Sequence, residues 1–203
     1  MFDFSKKIDF AILGSICLIL ITPYHSAAAI PIDRLILEVN KQSYTQRQVI
    51  LYVTTRRLLQ ENPKASDLQI NQKNWTTVLS QFSDEMIIEQ EAQRLGSRQP
   101  NAEMVKTMKS KLLAQRRKWP IINKVYHRMA VTEQEMKKIL ASIIRVQSFL
   151  ITRKKTPLKE DSPQNQTHAK NNWFDRLKQR TPSRYYEQAR NYVPIEPNRA
   201  WTP

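Results

Sequence analysis

The chain has 203 residues, and its 33 lysines and arginines against 18 aspartates and glutamates give a net charge of +15. A charge of this size favours anionic partners such as acidic polypeptides, lipid headgroups, lipopolysaccharide or nucleic acid. Gly14 and Gly96 are the only glycines, which argues against phosphate-binding loops and sheets with many tight turns, and in favour of a mostly helical fold.

The first 29 residues have the parts of a secretory signal peptide. Lys6 and Lys7 form a short basic start, an apolar run follows at 10–21, and small residues precede a predicted cleavage point after Ala29. The alternatives are an uncleaved amino-terminal anchor and lipidation at Cys17, although the run is short for a membrane span. Cleavage would remove the only cysteine, so the exported protein would contain no disulfide and would depend on apolar burial.

A short strand followed by a helix is predicted in the stretch IDRLILEVNKQSYTQRQV at 32–49. The strand is Leu35–Val39, and Thr45 with Gln48 forms a capping box for a helix that runs to about 61 and ends at Asn62-Pro63. A lone strand leaves backbone groups unpaired. Because 185–195 is rich in strand-forming residues, we expect part of it to pair with Leu35–Val39, with Pro194 at a strand end or edge.

Further helices are predicted between 71 and 153. The second helix begins near 71 or 74 and runs to 95, because its apolar residues recur at helical spacing, and Gly96 follows as its left-handed terminal residue. The third covers about 101–118 and ends at Trp119-Pro120, after which a short apolar helical piece follows. A second capping box, Thr132 with Glu135, starts a helix over 133–153. We expect these helices to bury Trp75, Leu79, Phe82, Ile88, Leu112, Ile122, Leu140 and Ile143.

The predicted architecture is a mostly α, irregular helical bundle or cradle over 30–153, with one short strand from each chain end paired together. Residues 154–172 are polar, contain two prolines and lack apolar periodicity, so they are predicted to form a disordered linker. Aromatic residues return in 173–203, where a helix and an aromatic strand segment are expected to pack back on the domain.

Residues 32–153 resemble the N-terminal domain of SurA-type periplasmic chaperones, which shares a helical fold with the C-terminal part of trigger factor. Beside the opening stretch, the matching segments are MIIEQEAQRLG at 86–96 and VTEQEMKKILASIIRVQSFL at 131–150. The resemblance implies a helical cradle that holds unfolded outer-membrane proteins in the periplasm of a Gram-negative bacterium. Many family members also carry parvulin-type isomerase domains, but only 50 residues follow Arg153 and none is glycine, so we expect no isomerase activity.

No arrangement of residues predicts an enzyme, a metal site or a cofactor site. His127 lies beside Arg128 without a cysteine or second histidine nearby in sequence, and a surface position accounts for it better than a metal or catalytic role. The sequence contains no nucleophile elbow, Walker loop or zinc-protease motif. Helix-turn-helix, zinc and RNP patterns are also absent, which together with export disfavours nucleic acid as the partner.

Two groups of residues are candidates for binding. Flexible thioethers suit promiscuous apolar surfaces, and the client-binding candidates are Met104, Met108, Met129 and Trp119, although core packing is the alternative for each. The basic run Arg116, Arg117 and Lys118 is the candidate patch for an anionic partner, or else complements the helix dipole. The favoured hypothesis is a non-catalytic periplasmic holdase for unfolded envelope proteins. The alternatives are an envelope scaffold that docks through the carboxy-terminal aromatic segment and an isomerase relic acting with another chain.

Overall fold

The computed structural model describes residues 34–60, 63–155 and 173–189. The predicted signal peptide, its cleavage at Ala29, most of the predicted linker and Pro194 lie outside the described residues. The part of the chain that is described contains seven α-helices and one three-stranded antiparallel sheet, so the fold is mostly α, as predicted.

The bounds of these elements follow the chain order. The strands are β1 (Leu35–Val39), β2 (Gln42–Thr45) and β3 (Ser183–Tyr185). The helices are α1 (Gln46–Leu58), α2 (Ala65–Leu68), α3 (Trp75–Arg94), α4 (Ala102–Lys118), α5 (Pro120–Arg128), α6 (Glu133–Lys155) and α7 (173–180), and a 3-10 turn covers Glu187–Ala189. Two ends differ slightly from the prediction: α1 ends at Leu58 rather than at about 61, and α6 continues past about 153 to Lys155, into the predicted linker.

The sheet has the order β2-β1-β3, so the amino-terminal strand β1 is central. Leu37 lies opposite Tyr185 and Val39 opposite Ser183, and the Tyr186 amide donates to the Ile36 carbonyl at 3.1 Å. The expected pairing between the two chain ends is therefore present. The paired segment differs from the prediction, because β3 is Ser183–Tyr185 and overlaps the expected range 185–195 only at Tyr185.

A second amino-terminal strand, β2, was not predicted. It pairs with β1 through a two-residue turn in which Asn40 and Lys41 both have positive φ, 48° and 68°. This turn has the left-handed pair of residues that suits a β-hairpin. The expectation of one amino-terminal strand is corrected to a hairpin.

The predicted helix caps are confirmed. The Gln48 amide donates to Thr45 Oγ1 at 3.3 Å and the Thr45 amide donates to Gln48 Oε1 at 2.9 Å. Thr132 and Glu135 make the same reciprocal pair at 2.9 and 3.2 Å. Gly96 has φ +69°, and the amide of Ser97 donates to the Ala92 carbonyl at 2.8 Å, the pattern in which a glycine ends a helix.

A main core joins the sheet to the helices. All eight side chains that were expected to be buried are less than a tenth exposed, seven in this core and Ile88 in a smaller second cluster: Trp75, Leu79, Phe82, Ile88, Leu112, Ile122, Leu140 and Ile143. The segment 173–189 also contributes to this core, since Leu177 is 2 % exposed and Trp75 Nε1 donates to the Ala189 carbonyl at 2.9 Å. The packing leaves one side of α4 and α6 uncovered by described residues.

Candidate binding groove

The two helices that frame the candidate site are each fixed by their buried faces. In α4 the Asn101 side chain accepts a hydrogen bond from the Met104 amide at 2.7 Å and so caps the first turn. Leu112 on α4, and Leu140 and Ile143 on α6, have no exposed surface. Side chains at other positions of the same helices are thereby directed to the groove between them.

This groove, which we call the α4–α6 groove, has a volume of about 490 Å³. Its apolar lining is Met104, Met108, Ile144 and Ile151, and Lys111 stands in the wall. Met104 is 44 % exposed and Ile151 is 52 % exposed. The remaining lining residues are Asn101, Glu103, Thr107, Gln147 and Ser148. Exposed apolar side chains that share a groove are characteristic of interaction sites.

Polar contacts hold the α6 wall of the groove in place. Arg145 donates to Glu89 of α3 at 2.6 Å, and Ser142 donates to the same carboxylate at 2.5 Å. This ion pair is largely buried, with exposed fractions of 8 % for Arg145 and 14 % for Glu89. At its other end, α6 is tied to α1 by an ion pair between Glu135 and Arg47. The groove is therefore framed by helices that are anchored to the core on their far sides.

The structure separates the four predicted client-binding residues into two pairs. Met104 and Met108 lie one helical turn apart and both line the groove. Met129 and Trp119 are only partly buried, but they pack against the main core and do not line the groove. Only the first pair belongs to the candidate site.

Of the ten residues that line the groove, only Met104 and Met108 were predicted as binding residues. Ile144 is only 3 % exposed, but it also lines the groove. Ile151 follows it at a spacing of seven residues, which places both on one stripe of α6. Lys111 was not singled out. One feature of the sequence could have indicated the groove: α6 carries more apolar residues than a single core-facing stripe requires.

The predicted basic patch does not form a single cluster of exposed cations. Arg116 is half-buried: its guanidinium carbon lies 4.3 Å from the centre of the Tyr126 ring and its Nη2 donates to Asn123 at 2.6 Å. Arg117 and Lys118 are exposed. Tyr126 in turn hydrogen-bonds Thr55 at 2.6 Å, and burial raises its pKa to about 12. Arg116 therefore joins α4 to α5, while its two neighbours face solvent.

A second cavity of about 500 Å³ lies among α1, α2 and α3, and its walls are charged. Most of its charged groups already have partners: Tyr52 donates to Glu85 at 2.6 Å, Arg56 lies 3.4 Å from Glu85, Arg57 donates to the Asp67 backbone carbonyl at 2.8 Å, and Asp84 lies 2.7 Å from Lys178. Burial and the Glu85 charge raise the pKa of Tyr52 well above its usual value. Because these charged groups are mostly engaged within the protein, this cavity is a weaker candidate than the α4–α6 groove.

The described residues contain no group of three histidine, cysteine or acidic side chains placed to hold a metal ion. His127 is exposed. Across the same described ranges, no helix has both the length and the apolar character needed to cross a bilayer.

Comparisons of the chain with protein-family models, with curated proteins and with solved structures find no match. The resemblance to SurA-type chaperones thus depends on the sequence segments at 32–49, 86–96 and 131–150.

Proposed function

We propose that the protein is a non-catalytic, chaperone-like holdase that binds apolar segments of unfolded envelope or outer-membrane proteins in the periplasm. Binding would need neither nucleotide nor metal. The signal-peptide pattern of residues 1–29 supports export. The resemblance of residues 32–153 to the N-terminal domain of SurA-type chaperones supports a chaperone role.

The observation that carries this proposal is the α4–α6 groove. Met104 and Ile151 leave about half of their surfaces exposed on opposite helices of one groove, where they would gain free energy by covering a client side chain. Methionine adapts to differently shaped partners because its side chain is flexible and polarizable. Such a surface suits weak binding of many sequences better than recognition of one substrate.

The test is the aggregation of an outer-membrane protein diluted from denaturant, followed by light scattering. The full-length protein is expected to suppress aggregation at a small molar excess. The double variant Met104→Gln/Ile151→Gln should bind clients about tenfold more weakly, since half-burial of two apolar side chains contributes about 1 to 2 kcal/mol. Glutamine keeps a good helix propensity, so the fold should survive.

Leu95→Gln is the matched control, because Leu95 is 50 % exposed and does not line the groove. It should retain full suppression. The proposal fails if the wild-type protein leaves aggregation unchanged, or if the control variant loses as much activity as the groove variant.

A scaffold role in an envelope complex is the second candidate, and strand β3 favours it. All three β3 residues are exposed, and Tyr185 is 41 % exposed at an edge of the sheet, where a partner strand could add. Recovery of one stoichiometric partner that is lost in Tyr185→Ser, together with no affinity for unfolded proteins, would select this candidate over the holdase.

A further inference from the structure

The positive charge of the chain is concentrated in the half that forms the groove. Residues 34–94 contain eight lysines and arginines and seven acidic residues, so they are nearly neutral. Residues 98–155 contain fifteen lysines and arginines and only three acidic residues. The second range includes α4, α5 and α6, and therefore both walls of the α4–α6 groove.

Two of the three carboxylates of this basic half are engaged by cations, and the third has only a long contact between exposed side chains. Glu133 lies 3.0 Å from Lys109 and 3.1 Å from Lys137, and Glu135 pairs with Arg47. Glu103, in the groove lining, is 4.0 Å from Lys106. The field at the groove is consequently set by the cations that remain.

Lys111 is the cation placed to act on a groove occupant. It lines the groove, is exposed, and makes no hydrogen bond or ion pair to any other residue in the described ranges. Lys111 shares this lining with the apolar residues Met104, Met108, Ile144 and Ile151. The groove thus combines apolar contact with one lysine that pairs with no carboxylate of the described residues.

We propose that the α4–α6 groove selects acidic-apolar segments of unfolded polypeptides, in which apolar side chains alternate with aspartates or glutamates. An apolar side chain enters between Met104 and Ile151, and a neighbouring carboxylate meets Lys111. This selection rests on the proposed holdase function and adds a preference to it. Charge complementarity of this kind acts mainly on partner choice and on the rate of encounter.

The experiment measures binding of three short fluorescent peptides by anisotropy, using the full-length protein. The peptides share the same leucines and differ only in whether the residues between them are Glu, Gln or Lys. At low ionic strength the Glu peptide should bind most tightly and the Lys peptide most weakly. In about 1 M salt, where the screening length is about 3 Å, the three affinities should converge.

The variant Lys111→Glu tests the named residue. It should weaken binding of the Glu peptide about fivefold and strengthen binding of the Lys peptide, as expected for one exposed charge pair. Lys73→Glu makes the same charge change at an exposed lysine in the nearly neutral half. That control should leave all three affinities unchanged.

The outcomes separate this selection from the holdase function. Equal affinity for the three peptides at low salt, or no effect of Lys111→Glu, overturns the selection while the holdase function stands. Failure of all three peptides to bind, together with unchanged aggregation in the light-scattering test, overturns both. The selection is also overturned if the protein sediments with phosphatidylglycerol vesicles and Lys111→Glu abolishes this sedimentation. That result would show that Lys111 binds an anionic lipid surface.

Discussion

Single residues of this chain adopt backbone conformations that their side chains disfavour. Ala130 has φ 46° and lies two residues after the end of α5, where its amide donates to the His127 carbonyl at 3.0 Å. Gly96 occupies the equivalent position after α3 with φ +69°. The left-handed conformation costs an L-residue such as alanine about 1 to 2 kcal/mol, and glycine adopts it without that cost. The α5 end therefore stores strain that the α3 end does not.

We expect Ala130→Gly to stabilise the fold. Relief of the left-handed strain outweighs the greater freedom of glycine in the unfolded chain, and a net gain of about 0.5 kcal/mol in the free energy of unfolding should result. Urea denaturation followed by circular dichroism measures it. Ala114→Gly, at an exposed position inside α4, should instead lose about 1 kcal/mol. Equal losses for both variants would contradict the strain argument.

At the scale of helices and strands, the features that depend on residues close in sequence were predicted correctly. The capping boxes at Thr45 and Thr132 fixed two helix starts, and the apolar stripe from Trp75 to Phe82 fixed the buried face of α3. Strand β2 was missed because its turn contains Asn40-Lys41 without a glycine, and because QSYT has little apolar alternation. The strand pairing of the chain ends was predicted, but its register depends on contacts distant in sequence.

The candidate site was less predictable for the same reason. In the sequence, a methionine at helical spacing gives the same pattern whether its side chain packs in the core or faces solvent. Met108 and Met129 are both partly buried against the core, and only Met108 also reaches the groove. Which side of α6 stays uncovered depends on how α3 and α4 pack around it. No periodicity within α6 contains that information.

The buried ion pair between α3 and α6 gives the element-scale prediction. Replacing Arg145 by methionine removes the cation beside Glu89, which is left mostly buried with the Ser142 hydroxyl as a donor. We expect a loss of about 3 kcal/mol in the free energy of unfolding. Lys138→Met, at an exposed position of the same helix, should change it by less than about 0.5 kcal/mol.

A second replacement distinguishes an unpaired charge from lost packing. In Glu89→Gln/Arg145→Met the carboxylate is absent, so part of the lost stability should return. If the double variant is as unstable as Arg145→Met plus Glu89→Gln added together, then the two residues do not act as a pair. Chemical denaturation at neutral pH provides all four free energies.

At the scale of the whole molecule, the ionisable side chains make the stability of the fold depend on pH. The chain carries 33 lysines and arginines, so each carboxylate that becomes protonated adds to the repulsion among them. Hydrogen bonds from Arg94 lower the pKa of Glu91, and those from Lys109 and Lys137 lower the pKa of Glu133. The hydrogen bonds from Arg47 lower the pKa of Glu135 from the usual 4.5 to about 2. In each case the folded protein holds its proton less tightly than the unfolded chain.

The sign of the pH dependence follows from these lowered pKa values. Their stabilisation is present above the unfolded pKa of about 4.5 and is lost as the pH falls toward about 2, because the unfolded state then binds more protons. The melting temperature should therefore fall steadily between about pH 5 and pH 2. Glu135→Gln should be less stable than the wild type by about 1 kcal/mol at about pH 6, since hydrogen bonds to a half-exposed charge contribute about that much.

That difference should disappear with acid, because a protonated Glu135 loses its charge just as glutamine does. Arg47 joins α1 to the start of α6 by donating both to Glu135 at 3.0 Å and to the Met129 carbonyl at 2.8 Å. The contact to Met129 survives protonation, so the contrast between the variant and the wild type isolates the carboxylate. Glu103→Gln, whose nearest cation is 4.0 Å away, should match the wild type at every pH. If Glu135→Gln is still less stable than the wild type near pH 2, then the packing of the Glu135 side chain, rather than its charge, makes this contact stabilising.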